Sequence, residues 1–166
     1  MAELSPALET ARLILRGRPA ELDAAEVALG FALPREACRA AGVGARRALW
    51  LGPDEWLLLA PVADAQALTA MLEAATAQAP HALVDVSQRQ IGLTLSGSDA
   101  EEILAAGCPL DLDLKAFPVG MCTRTVLAKA EIVLWRTDEA IFHIDVWRSF
   151  SAYVRGILEV AGATVS

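Results

Sequence analysis

The sequence predicts an α+β fold of mostly antiparallel sheets packed with helices, and three observations lead there. Segments whose apolar residues alternate, Gln90–Ser96 and Ala140–Trp147, stand among segments with helical spacing, Ala65–Ala75 and Tyr153–Ala161. The tetrapeptide Gly52-Pro53-Asp54-Glu55 has the chemistry of a tight turn and joins two apolar runs as a hairpin, so the neighbouring strands run antiparallel. The helix-bearing halves are of similar length, which leaves room for a doubled β-α-β arrangement. At 166 residues the chain is placed as one domain, residues 1–166, able to build a core without disulfide or metal staples.

Taken in order, Thr10–Arg16, Ala45–Leu51 and Trp56–Ala60 read as strands. The run Trp56-Leu57-Leu58-Leu59 describes a strand covered on both faces. Gly30–Gly44 reads as an irregular connection with a short helix after Pro34. Asp64 is placed to cap a helix carrying Ala65, Leu68, Met71, Leu72 and Ala75, which Pro80 ends. His81–Ser87 is a strand, and Gln90–Ser96 another, with Ile91, Leu93 and Leu95 on its buried face. Ser98 and Glu101 make an S-x-x-E capping box for a short helix with Ile103 and Leu104, stopped at Gly107. Three more strands follow at Gly120–Ala128, Glu131–Arg136 and Ala140–Trp147, the last turning Phe142, Ile144 and Val146 to one side. Ser149 caps the final helix, whose apolar stripe is Tyr153, Val154, Ile157, Leu158 and Ala161 and whose stop is Gly162.

Charge and composition remove several function classes. A net charge of −7, with two lysines beside twelve arginines, offers no basic stripe for a phosphate backbone, so no nucleic-acid partner is expected. The longest stretch without a charged residue, Ala74–Val84, is too short and too polar for a membrane span, so no membrane partner is expected either. Met1–Thr10 lacks a basic region followed by an apolar run, and Cys38, Cys108 and Cys122 are odd in number and form no C-x-x-C pair. Both features point to a reducing, cytoplasmic setting. The mean hydropathy of +0.41 is high, though 33 alanines account for most of it; it is compatible with a subunit of a complex.

Catalytic constellations are missing. There is no phosphate-binding loop, nucleophile elbow or H-E-x-x-H pair, and Gly42-Val43-Gly44 lacks the third glycine of a dinucleotide fingerprint. His81 and His143 are the only histidines and have no ligand spacing around them, so no metal site is assigned. The acidic pairs Asp54-Glu55, Glu101-Glu102, Asp111 with Asp113, and Asp138-Glu139 each have a local structural account in turns or a helix first turn. In Asp85-Val86-Ser87-Gln88-Arg89 a strand ends in short polar groups and an arginine able to pair with Asp85 or Asp145; a structural tie is favoured over a ligand contact. Trp50, Trp56, Trp135 and Trp147 read first as core. No residue is assigned a catalytic role.

Ordered segments carry a family resemblance. Leu51–Leu59 (LGPDEWLLL), Leu83–Leu112 (LVDVSQRQIGLTLSGSDAEEILAAGCPLDL), Phe117–Thr123 (FPVGMCT) and Val146–Phe150 (VWRSF) resemble the gamma subunit of heterotetrameric sarcosine oxidase. The resemblance covers roughly Leu49 to Ala161. A wider one is to the folate-binding fold of the glycine-cleavage aminomethyltransferases, whose D-x-S segment looks like Asp85-Val86-Ser87 and whose following helix start looks like Gly97-Ser98-Asp99-Ala100. That likeness implies a ferredoxin-like doubling of the β-α-β unit. The chain departs from those transferases at Ala128–Trp135, where they carry acidic residues, so the fold transfers without a catalytic carboxylate.

The resemblance implies a noncatalytic structural or assembly subunit, with alpha, beta and delta subunits as partners. The complex would demethylate sarcosine oxidatively to glycine, form hydrogen peroxide and pass the one-carbon unit to tetrahydrofolate. FAD, FMN, NAD and tetrahydrofolate would lie on the partner subunits and no cofactor on this chain. Two alternatives from other classes stay open. One is a free-standing folate-binding or aminomethyltransferase-like protein, for which Asp85, Arg89 and Arg148 are the residues able to meet a pterin edge and a glutamate tail. The other is a homo-oligomeric domain of unrelated role.

Overall fold

The computed structural model describes residues Met1–Val165, which form ten strands and four α-helices. The strands are β1 (Glu3–Pro6), β2 (Thr10–Gly17), β3 (Ala40–Val43), β4 (Arg46–Gly52), β5 (Glu55–Pro61), β6 (His81–Asp85), β7 (Gln90–Ser96), β8 (Cys122–Leu127), β9 (Ala130–Asp138) and β10 (Ile141–Trp147). The helices are α1 (Asp23–Leu29), α2 (Ala65–Thr76), α3 (Ala100–Ala105) and α4 (Ser151–Val165). Among the described residues no helix is long and apolar enough to cross a membrane.

Where the sequence reading drew no boundary, the chain divides into two compact units, Glu9–Gln88 and Met1–Leu8 together with the residues from Arg89 onward. Each holds one five-stranded antiparallel sheet, in the order β3-β4-β5-β2-β6 and, read from the same side, β8-β9-β10-β7-β1. The order of elements repeats as well. In the first unit β2, α1, β3, β4, β5, α2 and β6 follow one another; in the second β7, α3, β8, β9, β10 and α4 do so, and the closing strand is β1 from the chain's beginning. The doubled β-α-β expectation is therefore met, with one strand supplied out of sequence.

Each unit has its own core on the helix-bearing face of its sheet. Leu13, Leu15, Trp56, Leu58 and Ala60 pack with Ala25 and Leu29 of α1 and Leu68 and Leu72 of α2. Leu93, Leu95, Phe142, Ile144 and Val146 pack with Ile103 and Leu104 of α3 and Val154 and Leu158 of α4. The alternation read in β7 and β10 sets these inward faces, because successive strand side chains point to opposite sides.

The two units also correspond in detail. Trp50 pairs with Trp56 as Arg136 pairs with Phe142, and both hairpins shift register just beyond that point. The Trp50 amide donates to the Arg39 carbonyl at 3.0 Å, and the Arg136 amide to Met121 at 2.9 Å. One residue earlier in each connection the backbone turns left-handed, at Cys38 (φ 59°) and at Gly120 (φ 86°). Glycine fits that conformation at no steric cost; cysteine does not.

Several local expectations are corrected. Gly30–Gly44 carries no helix after Pro34: the helix, α1, precedes it, and β3 lies inside it. The run Ala40-Ala41-Gly42-Val43 has small side chains and no alternation, which hides β3, a four-residue edge strand defined by its pairing with β4. Asp64 makes no capping bond, and its carboxylate lies 3.7 Å from Arg46. The Ser98–Glu101 capping box does not form: Asp99 occupies the cap position, the Ser98 hydroxyl donates to Asp99 at 2.5 Å, and Glu101 turns to Arg136. Ser149 lies in a 3₁₀ turn before α4, where the Ser151 hydroxyl instead donates to the Arg148 carbonyl at 2.8 Å. Gly162 does not stop α4, which continues to Val165. The first strand, β1, carries no periodic signal and forms because β7 offers it an edge.

Candidate interaction surface

The fifteen-residue helix α4 contains two charged residues, Arg155 and Glu159. At 3.6 residues per turn its buried stripe is Val154, Leu158 and Ala161, while Ala152, Tyr153, Gly156, Ile157, Val160 and Thr164 occupy a second face with no charge. That second face meets water: Val160 is 70% exposed, Tyr153 40% and Phe150, just before the helix, 43%. Tyr153, read from the sequence as part of the core stripe, thus belongs to the outer face. Together with Glu102 of α3 and Ala106 just after it, the residues of this second face of α4 line a groove of about 790 Å³. A helix apolar on two faces has only one of them satisfied by its own core, and a contiguous apolar surface of this kind marks an interaction site.

Glu102 borders a second cavity of about 450 Å³, lined by Ser98, Glu101, Leu110, Asp111, Leu112 and Asp113. Its carboxylates are held by the chain. Asp111 accepts the Asp113 amide at 3.0 Å, Asp113 accepts the Lys115 amide at 2.9 Å, and Glu101 pairs with Arg136 at 2.9 Å. Apolar groove and acidic cavity therefore share one wall.

The residues nominated for folate fall in separate units. Asp85 lies in the first, where its Oδ1 accepts the Ser87 amide at 2.8 Å, and the Ser87 hydroxyl in turn accepts the Arg12 amide at 2.9 Å. D-x-S is here a local turn that ties β6 to β2. Arg89 and Arg148 lie in the second unit and meet through backbone, the Arg148 amide donating to the Arg89 carbonyl at 2.7 Å. The Arg89 guanidinium sits over the Trp147 ring, 5.0 Å from its centroid, and Trp147 is 39% exposed. Of the four tryptophans, Trp56 is fully buried and donates its indole N–H to the Pro34 carbonyl at 2.9 Å.

His143 Nε2 lies 2.9 Å from the carboxylate of the buried Asp145, and its ring meets Trp135 edge-on at 6.0 Å. His81 faces two acceptors, the Ala79 carbonyl at 2.9 Å and Glu73 at 3.1 Å. The Ala79 carbonyl and then the Glu73 carboxylate raise its pKa above the ordinary value. Asp99 shifts the other way, its carboxyl held low first by the Ser98 hydroxyl and then by the amino group of Met1. Among the described residues no three His, Cys, Asp or Glu stand together as a metal site, and Cys108 and Cys122 are buried.

Sequence reasoning missed two features. Arg136 follows Ile132 and Leu134 at the alternation of β9 and so belongs to the buried face, a signal available from period alone. The outer face of α4 was signalled by a helix with two charges in fifteen residues.

A family model described as "Sarcosine oxidase, gamma subunit family" matches residues 16–164. The chain is 39% identical over 127 residues to sarcosine oxidase subunit gamma of Corynebacterium sp. (strain P-1), an alignment covering 76% of this chain and 62% of that one. It thus spans about three-fifths of that relative's length. Among solved structures, heterotetrameric sarcosine oxidase from Corynebacterium sp. U-96 in complex with pyrrole 2-carboxylate superposes with a TM-score of 0.91 at 32% identity, covering 99% of this chain and 86% of that chain. The glycine cleavage system aminomethyltransferase T from Bartonella henselae superposes at 0.75 with 18% identity, covering 95% of this chain and 45% of the other, a likeness of fold alone.

Proposed function

Because this chain belongs to the sarcosine oxidase gamma subunit family, we propose that it is a noncatalytic assembly subunit of a heterotetrameric sarcosine oxidase. The other subunits, alpha, beta and delta, are its partners. They carry FAD, FMN, NAD and tetrahydrofolate and perform the oxidative demethylation of sarcosine to glycine, with hydrogen peroxide formed and the one-carbon unit passed to the folate. The observation that carries the reading for this chain is the outer face of α4, where Val160 at 70% and Tyr153 at 40% exposure present an uncharged surface with no core of its own to cover it.

The residues nominated for folate have structural partners of their own. Asp85 uses Oδ1 on the Ser87 amide, and it belongs to a different unit from Arg89 and Arg148. No chemical step is therefore assigned to this chain.

Co-expression of the tagged chain with the other three subunits tests the proposal. Co-elution of all four with flavin absorbance and sarcosine-oxidising activity is expected. A fully active three-subunit enzyme that leaves this chain behind would overturn it.

A further inference from the structure

We propose that the groove between α3 and α4 receives an amphipathic helix of a partner subunit whose apolar stripe runs into lysine or arginine at one end. This rests on the assembly reading. The argument is charge complementarity along one continuous surface. The groove proper is uncharged, from Ala106 across Tyr153, Gly156, Ile157 and Val160, and Gly156 with Ala152 lets a helix axis approach closely. At its Glu102 wall the groove adjoins the acidic cavity of Asp111 and Asp113. Glu102, Asp111 and Asp113 make no ion pair among the described residues; backbone amides engage one oxygen each of the two aspartates. Three carboxylates beside an apolar slot reject an acidic end and reward a basic one, which fixes direction as well as partner. A second copy of this chain matches poorly, because its own α4 offers one arginine, Arg155, and its net charge is −7.

The test uses the co-expressed four-subunit complex. With Val160 replaced by p-benzoylphenylalanine, irradiation is expected to join this chain to one helical segment of a partner subunit bearing at least two Lys or Arg within about two turns of the joined residue. A cross-link to a second copy, to a segment without basic residues, or no cross-link from an assembled complex overturns the inference. As a second reading, Glu102→Lys is expected to weaken assembly about tenfold, on the scale of one interface anchor, with a smaller effect at high salt. Val160→Glu is expected to weaken it at least as much, at an unchanged melting temperature because the side chain is exposed in the isolated chain. Unaltered assembly of both variants also overturns the inference. Failure of the wild-type chain to enter the complex would strike at the assembly reading itself, so the two failures are distinguishable.

Discussion

Arg136 and Glu101 meet at 2.9 Å, and the pair joins a guanidinium that is 2% exposed to a carboxylate that is 42% exposed. The rest of the guanidinium is engaged as well. It donates to the Leu112 carbonyl at 2.8 Å, to Phe117 at 2.7 Å and twice to Glu139 at 3.1 and 2.8 Å, so every N–H of the group has an acceptor. It also lies over the Phe142 ring, 4.6 Å from the centroid. One side chain thereby ties α3, the connection from α3 to β8, and the tip of the β9–β10 hairpin.

Replacing Arg136 should be severe. Arg136→Met leaves the Leu112, Phe117 and Glu139 carbonyls without their donor and is expected to cost about 3–5 kcal/mol, the range for breaking a buried ionic network. Arg136→Lys, with a compact ammonium in place of the planar fork, should recover less than half of that. Urea midpoints of the three proteins would decide it, and a lysine variant as stable as the parent would contradict the network account.

Cys38 offers a gain in stability. Its left-handed backbone costs about 1–2 kcal/mol for a residue with a Cβ, of which the greater unfolded-state freedom of glycine takes back part, leaving a net of about 0.5–1 kcal/mol for Cys38→Gly. Cys38→Ala keeps the strain and should bring no such gain. A calorimetric comparison of the two variants separates backbone relief from loss of the thiol.

Gly97 should tolerate no side chain. Its φ is +124°, and a Cβ there would stand 2.5 Å from the Met1 carbonyl oxygen. Gly97→Ala is expected to destabilise by about 1–3 kcal/mol and to speed amide hydrogen exchange across the β1–β7 pairing before the rest of the sheet. Protection in β1 equal to that of the parent would refute the idea that this glycine seats the closing strand.

His81 makes the stability pH-dependent. Both ring nitrogens face acceptors, so the imidazolium satisfies both and the neutral ring cannot. Since the folded-state pKa is raised above 6.5, the contribution is fully present below that value and is lost as pH rises through the raised one. The urea midpoint of the parent should exceed that of His81→Ala by most at about pH 5.5, below the ordinary histidine value, and by least at about pH 9, well above it. A difference that grows with pH would reverse the assignment.

Local periodicity was enough for β2, β4, β5, β7 and β10 and for the interiors of α2, α3 and α4. In β7, β10 and the helices the apolar residues match one backbone period, which fixes the inward side, whereas the continuous run of β5 marks a strand buried on both faces. Ends were another matter. Ser98, Glu101, Asp64 and Ser149 all have the residue type of a cap, yet Glu101 is drawn to Arg136 and Asp64 lies near Arg46. A charged side chain with a distant opposite charge in reach gains more there than from a local amide, and that competitor is invisible within a four-residue window.

The sequence by itself determined an acidic α+β chain with doubled β-α-β order and no catalytic constellation, because composition, period and motif spacing are local properties. Only the tertiary structure decided that β1 closes the sheet begun by β7, that Arg136 spends its whole guanidinium inside the second unit, and that α4 keeps an uncharged face turned to water. Strand pairing, a buried ion's partners and the uncovered side of a helix depend on residues far apart in the chain. Their energies are settled only when those residues meet.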